Sequence, residues 1–509
     1  MTSPEGRGVA GALPPANRLL LSSAVLVGAP SEVLDFLLPL WAGSQLQVDA
    51  VAIGALVAVE ALLSLVVRPV AGALCDRHAP RHVATVGALL YAVSFAGYAL
   101  ADALPLAFVA AAVGGAGGAL FWVALRTWIA AGMPGAAHTA AYGALLSAEG
   151  KGALLGYLLA FALLDRGGYS VLFWVGCLVC LVAAALLALA PQAGPAEKRR
   201  PSIDASDASS SSVGSTKVLM AVTAVTAAAE AGLWMVLLLR LQGHFGMEPV
   251  EIAGVFAPGF LVFILLPPYT HHLTDRIGRT TTLVVSFTAA ALFAAGLGVV
   301  SSPLAISALW ALTAACLAAQ IPVEQATVAA VSKDRPGRGI GRYESARLAG
   351  VVVGTGVLGP VYQSVGWTTA CLLAASASVC GALAAPYAIR ALRLPPAPVP
   401  VGERPEGGPT ASAESGTGLV PGSDATSVHG DSGSEPRRPG QSAQEQARTE
   451  RRRWYIHTAA FVSSQVVLRL LDVLPDVTRI WVVVYIIDTL WSWSYTVFPR
   501  AAKGDPREK

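Results

Sequence analysis

The sequence predicts an all-α polytopic membrane protein, with twelve transmembrane helices in two pseudo-symmetric halves of six. Three observations predict it. Of 509 residues, 54% are hydrophobic and only 13% charged, against about 25% charged in soluble domains. Apolar runs recur along the chain, many near the roughly 20 residues that cross a bilayer as a helix. A charged break in the apolar pattern is also repeated: "GALCDRHAPRH" (Gly72 to His82) is followed by "HHLTDRIGRTT" (His271 to Thr281), with Asp76 and Asp275 lying 199 residues apart.

Residues 1–17 are short and polar and form no cleavable signal pattern, so the run from Leu19 reads as a retained first span. Spans are expected at 18–42, 50–74, 83–102, 105–131, 139–164 and 169–191, which make an N-terminal half over 18–191. Residues 192–216 are a polar, Ser-rich linker. A second set at 217–242, 250–274, 280–300, 303–331, 342–362 and 368–391 makes a C-terminal half over 217–393. Basic residues set the orientation. Arg77 and Arg81, then Lys198, Arg199 and Arg200, then Arg276 and Arg279, then Lys333, Arg335 and Arg338 all fall in alternate connections, whereas "ADALPL" and "SSPLA" carry none. The basic connections, the linker and the N-terminus are therefore expected on the cytoplasmic side of the cell membrane.

The halves look like duplicates. Gly152-x-x-x-Gly156 followed by Gly168-Tyr169 matches Gly350-x-x-x-Gly354 followed by Gly366-Trp367, at a constant offset of 198 residues. Parallel duplication about an axis along the membrane normal is a transporter architecture, with the site at the repeat interface.

Several functions are excluded or unsupported. A net charge of +3 gives no general basis for nucleic-acid binding. No Gly-rich loop ending in Gly-Lys-Ser/Thr is present. No cytoplasmic segment is large enough for a catalytic core, so neither enzyme activity nor a cofactor is expected. The Cys177-x-x-Cys180 pair lies within an apolar run with no His or further Cys nearby in sequence, so it reads as helix packing and no metal site is expected.

On these residues the chain resembles the major facilitator superfamily. The family's loop after span two reads roughly Gly-x-Leu-x-Asp-Arg-x-Gly-Arg-Arg/Lys. The chain supplies Gly72, Leu74, Asp76, Arg77 and Arg81, with Ala79-Pro80 in place of Gly-Arg. The second copy supplies Leu273, Asp275, Arg276, Gly278 and Arg279, with His271 at the first glycine. The resemblance covers about residues 15–393. It implies transport by alternating access, with these loops as latches that hold one end shut in one state. The alternative is that their arginines only enforce topology.

Charges inside spans are costly and default to functional candidates. Glu32 and Glu230 are repeat equivalents at mid-span, and Asp35 is one turn from Glu32. The resemblance places spans one and seven on the central cavity, where the two carboxylates would face one another. Such groups suit proton exchange or a cationic ligand, unless they are pinned to backbone at a broken helix. Arg126 maps to Glu324 and Glu149 to Arg347, each 198 residues on, with the signs exchanged. The swap predicts that spans four and five pair in one half, and ten and eleven in the other. These are either structural pairs or a cavity network that grips substrate. Arg126 and Glu324 are the better substrate candidates, because the resemblance puts spans four and ten on the cavity. Lys151 has Ala349 at its equivalent position, and Glu60 also lacks a charged counterpart.

Beyond Arg393 the resemblance ends. Residues 394–453 are rich in Pro, Gly, Ser and Glu and are expected to be disordered. Residues 454–500 are expected to form an appended hydrophobic hairpin, which crosses the membrane twice or lies in its interface, and 501–509 a polar tail. The expected function is secondary active, proton-coupled transport of a small organic molecule, with export favoured and nutrient uptake as the alternative. A transporter-like sensor or scaffold, with the appended hairpin contacting a protein partner, is the rival of another class.

Overall fold

The computed structural model describes residues 15–189, 209–247, 249–392, Trp454 and Thr458. The expected linker 394–453 and the polar tail lie outside the described residues, as does the hairpin apart from the helical Trp454 and Thr458. The account below concerns the compact unit that ends at Arg404.

Helices run in order as α1 (Pro15–Gln45), α2 (Ala50–Cys75), α3 (Pro80–Leu100), α4 (Leu104–Gly132), α5 (His138–Leu189), α6 (Ser209–Gly243), α7 (Pro249–Leu265), α8 (Thr270–Ile277), α9 (Arg279–Leu297), α10 (Pro303–Val331), α11 (Pro336–Ser364) and α12 (Trp367–Ala391). Among the described residues ten helices are individually long and apolar enough to cross a membrane. Helix α1, bent by 49° between Asp35 and Leu37, makes an eleventh. Helix α5 is two limbs joined at Gly168, the second of them among those spans, and α7 with α8 is one span broken at Pro267. The fold class is as expected from sequence. Helix α6 starts at Ser209 rather than 217, its Ser/Thr-rich lead-in continuing as helix.

Local chemistry sets the breaks. Pro80, the departure from the loop motif, opens α3 at a first-turn position where a missing N–H costs nothing. Gly168 (φ 65°) and Gly366 (φ 111°), repeat equivalents, both take the left-handed region, which glycine enters without a Cβ clash. The duplication is therefore visible in the backbone.

It is visible in the packing too. A Cβ on Gly152 or Gly156 would run into the carbonyls of Val25 and Ala29 on α1, and one on Gly350 or Gly354 into those of Ala224 and Ala228 on α6. Small residues let helix backbones approach where lipid supplies no hydrophobic drive. Each half is thus tied together by the same glycine-cut crossing.

The halves join at one end. A Cβ on Gly72 would collide with the Gly337 carbonyl, and one on Gly143 with that of Pro267. Ser147 Oγ donates to the Ile264 carbonyl at 2.6 Å and Ser345 Oγ to that of Leu65 at 3.4 Å. The hydrogen bonds and ion pairs found between the halves among the described residues lie toward the end carrying the charged loops.

Candidate functional site

The deepest polar feature of the joined end is a chain of four charges. Arg126 on α4 donates from Nη2 to Glu149 Oε1 at 3.0 Å and to Oε2 at 3.2 Å. Its Nε lies 3.1 Å from Glu344 Oε1 on α11, across the interface. The N–H there is not aimed at the oxygen, so this is a charge contact rather than an aligned hydrogen bond. Arg68 on α2 reaches the same residue, with Nη1 donating to the Glu344 carbonyl at 2.8 Å and to Oε2 at 3.3 Å. The side chain of Glu344 is only 6% exposed. A carboxylate this buried needs compensating charge, and two arginines of the opposite half supply it. Trp122 covers Arg126, the guanidinium carbon lying 5.5 Å from the ring centroid.

The second half is wired differently from the expectation. The sign swap predicts Glu324 against Arg347, but no Arg347 nitrogen lies within 4.0 Å of Glu324. Arg347 Nη2 instead lies 3.8 Å from Glu230 Oε2 on α6. Glu324 is buried and accepts neutral donors, Tyr343 Oη at 2.8 Å and Gln320 Nε2 at 3.1 Å. The physical reason is proximity: the glycine-cut crossing of α6 and α11 brings Glu230 to Arg347, while Glu324 already has two neutral donors. Glu32 and Glu230 are also not in contact, each interacting within its own half.

In the first half Glu32 and Asp35 are exposed to solvent on α1. Their charges interact with one another, and those of Glu149 and Glu60 lie within reach. Among the described residues no Lys or Arg nitrogen lies within 4.0 Å of Glu32, Asp35 or Glu60. Tyr157 Oη donates to the Glu32 carbonyl at 3.1 Å, one turn before the bend in α1 between Asp35 and Leu37. Lys151 is exposed and joins no ion pair among the described residues.

At the membrane surface, Asp76 Oδ1 accepts from the Gly337 N–H at 2.8 Å and Oδ2 from that of Arg338 at 3.1 Å. The loop carboxylate thus caps the first turn of α11 in the other half, favourable to a helix N-terminus. Burial pushes its carboxyl above the ordinary value, opposed by those two N–H donors and by the charges of Arg338 and Arg335. The copies differ here. Asp275 accepts no such bond among the described residues, and Gly278 (φ 83°) serves as the left-handed break between α8 and α9, with Arg279 opening α9. Arg276 lies in the last turn of α8. Arg77 is exposed, and Arg81 Nε donates to its neighbour His82.

Arg68 and Glu344 escape the repeat filter because their equivalents are leucines, Leu266 and Leu146. The bare cost of a charge in an apolar run flags both. The Tyr343 and Gln320 contacts carry no such signal.

Two six-helix halves with ionisable groups between them and a breakable seam at one end define a membrane transporter architecture. The chain belongs to the Major Facilitator Superfamily, whose sequence profile matches residues 20–297 and 219–497; the second match runs past Arg393, where the resemblance read from motifs stops. No curated protein matches the sequence significantly. The human organic anion transporter MFSD10 (TETRAN) superposes with a TM-score of 0.64 at 16% identity, covering 73% of this chain and 100% of that one. The Escherichia coli fucose:proton symporter FucP gives 0.58 at 16% identity, over 73% and 98%. A bacterial homologue of the iron transporter ferroportin, in its outward-facing state, gives 0.63 at 12% identity, over 74% and 99%. At such identities these likenesses show the fold alone.

Proposed function

We propose that the chain is a proton-coupled secondary transporter of a small organic molecule in the cell membrane, working by alternating access, with export the favoured direction. One observation carries the reading. The halves are held at a single end by contacts that can break together: the Asp76 cap, the Gly72 crossing and the two arginines on Glu344. Beyond that seam, Glu32 and Asp35 stand accessible at mid-span, with no Lys or Arg nitrogen within 4.0 Å among the described residues. With the basic loops inside, the seam is the cytoplasmic gate and the accessible carboxylates face outward. Protonation of Glu32, Asp35 and Glu230 links the gradient to the cycle, and Arg126 and Glu324 act at the cavity floor. Asp76, Arg77, Arg81, Asp275, Arg276 and Arg279 form the latch loops, with Asp76 the working member.

Uptake by proton symport is the second reading, favoured by the likeness to a fucose:proton symporter. Proteoliposomes containing the full chain and a trapped pH dye test both. A solute panel is offered under an imposed proton gradient, and a solute-dependent proton flux in one direction is the expected result. In Glu32→Gln and Glu230→Gln the flux loses its pH dependence. A wild-type protein that moves no solute, or mutants that keep the normal pH profile, sinks the proton-coupled reading.

A further inference from the structure

The groups along the interface are unbalanced. Seven carboxyls (Glu32, Asp35, Glu60, Glu149, Glu230, Glu324 and Glu344) meet three guanidinium groups (Arg68, Arg126 and Arg347). Two of those three are taken up at the seam, and among the described residues Arg347 pairs with Glu230 while Glu324 has only the neutral donors Tyr343 and Gln320.

A pocket of about 30 Å³ lies in the C-terminal half, walled by Glu230, Trp234, Phe287, Trp310, Gln320 and Ser378. Gln320 is 3% exposed. Its Nε2 donates to Glu324 Oε1, and its Oε1 has no partner. The amide orientation follows from chemistry: a carboxylate accepts and does not donate, so the nitrogen faces Glu324 and the bare carbonyl oxygen is the free atom. A buried acceptor without a donor is costly. Trp310 is fixed beside it. Its Nε1 donates to the Phe256 carbonyl at 3.1 Å, and the lack of a side chain at Gly259 lets the ring pack against that backbone. With its N–H used, Trp310 offers only ring surface, and Trp234 packs beside it with its centroid 5.1 Å away.

A carboxylate, an unfilled carbonyl acceptor and two indole faces complement one chemical group, a protonated amine carrying apolar surface. An anion would meet the Glu230 carboxylate, whose partner Arg347 lies 3.8 Å off and outside the pocket wall, and find no donor on Gln320. At roughly 10–15 Å³ of such cavity space per water, the pocket holds about two waters, room for an ammonium head rather than a whole molecule. The body then extends out of the pocket. We infer that the Gln320–Glu230–Trp310 pocket is a subsite for the ammonium head of the transported molecule, so that the substrate is an amphipathic organic cation. This rests on the transporter reading.

Binding to the purified full-length chain in detergent at neutral pH tests the site without requiring transport. The probes are matched amine and carboxylate pairs: tryptamine with indole-3-acetate, and hexylamine with heptanoate. Expected are amines bound at least about tenfold more tightly than their carboxylate partners, and a loss of about tenfold in amine affinity in Gln320→Met and in Trp310→Leu. Ser378→Ala, a smaller change in the same wall, weakens the amines measurably and covers the case in which Gln320→Met lowers folded yield. Lys151→Gln, away from the pocket, leaves them unchanged. Equal affinity for amine and carboxylate overturns the inference. So does failure of every amine to bind at millimolar concentration, which leaves an ordered water as the only partner of Gln320. Amines that bind as expected yet never accumulate in proteoliposomes sink the transporter reading and leave the site standing.

Discussion

Glu344 is bound by two arginines of the opposite half, and this determines what its removal does. In Glu344→Gln, Arg68 keeps the backbone carbonyl but loses the carboxylate it pairs with among the described residues, while Arg126 keeps Glu149. Breaking a buried pair costs about 3–5 kcal/mol, so the mutant is expected to unfold at clearly lower temperature in detergent. Glu149→Gln is expected to cost less, since Arg126 still has Glu344. The ratio of the two losses, read by thermal unfolding of purified protein, checks the assignment, and a reversed order contradicts it. The double reversal Arg126→Glu with Glu149→Arg is expected not to recover folded protein, because it sets a new carboxylate against Glu344. Recovery measured by size-exclusion yield would show that Glu344 is no partner of Arg126.

At the scale of elements, the joined end depends on α2 meeting α11. The two backbones touch at Gly72 and Gly337, and the crossing is locked by Asp76 at the first turn of α11. Gly72→Leu is expected to keep this end from closing, seen as a longer spin-label distance between the loop after α2 and the start of α11, with transport lost. Asp76→Asn retains one carbonyl acceptor but removes the charge from a helix N-terminus, worth about 0.3–1 kcal/mol, so a several-fold shift of population toward the open seam is expected. Asp275→Asn is expected to shift it less, because its carboxylate caps nothing among the described residues. Equal shifts in the two mutants would make the loops functional twins despite their different contacts.

Across the whole molecule, the halves repeat each other in fold but not in wiring. The α1–α5 and α6–α11 crossings are cut by equivalent glycines, and the α5 kink and the α11–α12 turn use equivalent left-handed glycines. The charges differ: among the described residues Glu32, Asp35 and Glu60 of the first half have no Lys or Arg nitrogen within 4.0 Å, whereas in the second half Glu230, in the wall of an aromatic pocket, has Arg347 at 3.8 Å. Alternating access then requires the seam to open as a unit. A disulfide between Leu65→Cys and Ser345→Cys, in a background with the native cysteines replaced, is expected to abolish transport and to be relieved by reductant. Full transport in the oxidised protein would mean that the seam does not move.

Membrane residence, twelve helices, the division into halves and the Arg126–Glu149 proximity were legible before any coordinates. Each rests on a signal local in sequence or repeated at a fixed offset: apolar run length, basic connections, glycine spacing and exchanged signs. The partners of Arg347 and Glu324 were not legible, nor were Arg68 and Glu344. The repeat describes equivalent positions, whereas Arg68 and Glu344 meet across the interface, Arg347 meets Glu230 on α6 of its own half, and Glu324 takes the neutral donors Tyr343 and Gln320. Burial of a charge obliges the chain to find it a partner, but the nearest partner is set by how the helices cross. The chain alone therefore determined which charges had to be answered, and only the tertiary packing decided by which groups, because that choice depends on distances of a few ångströms between segments hundreds of residues apart.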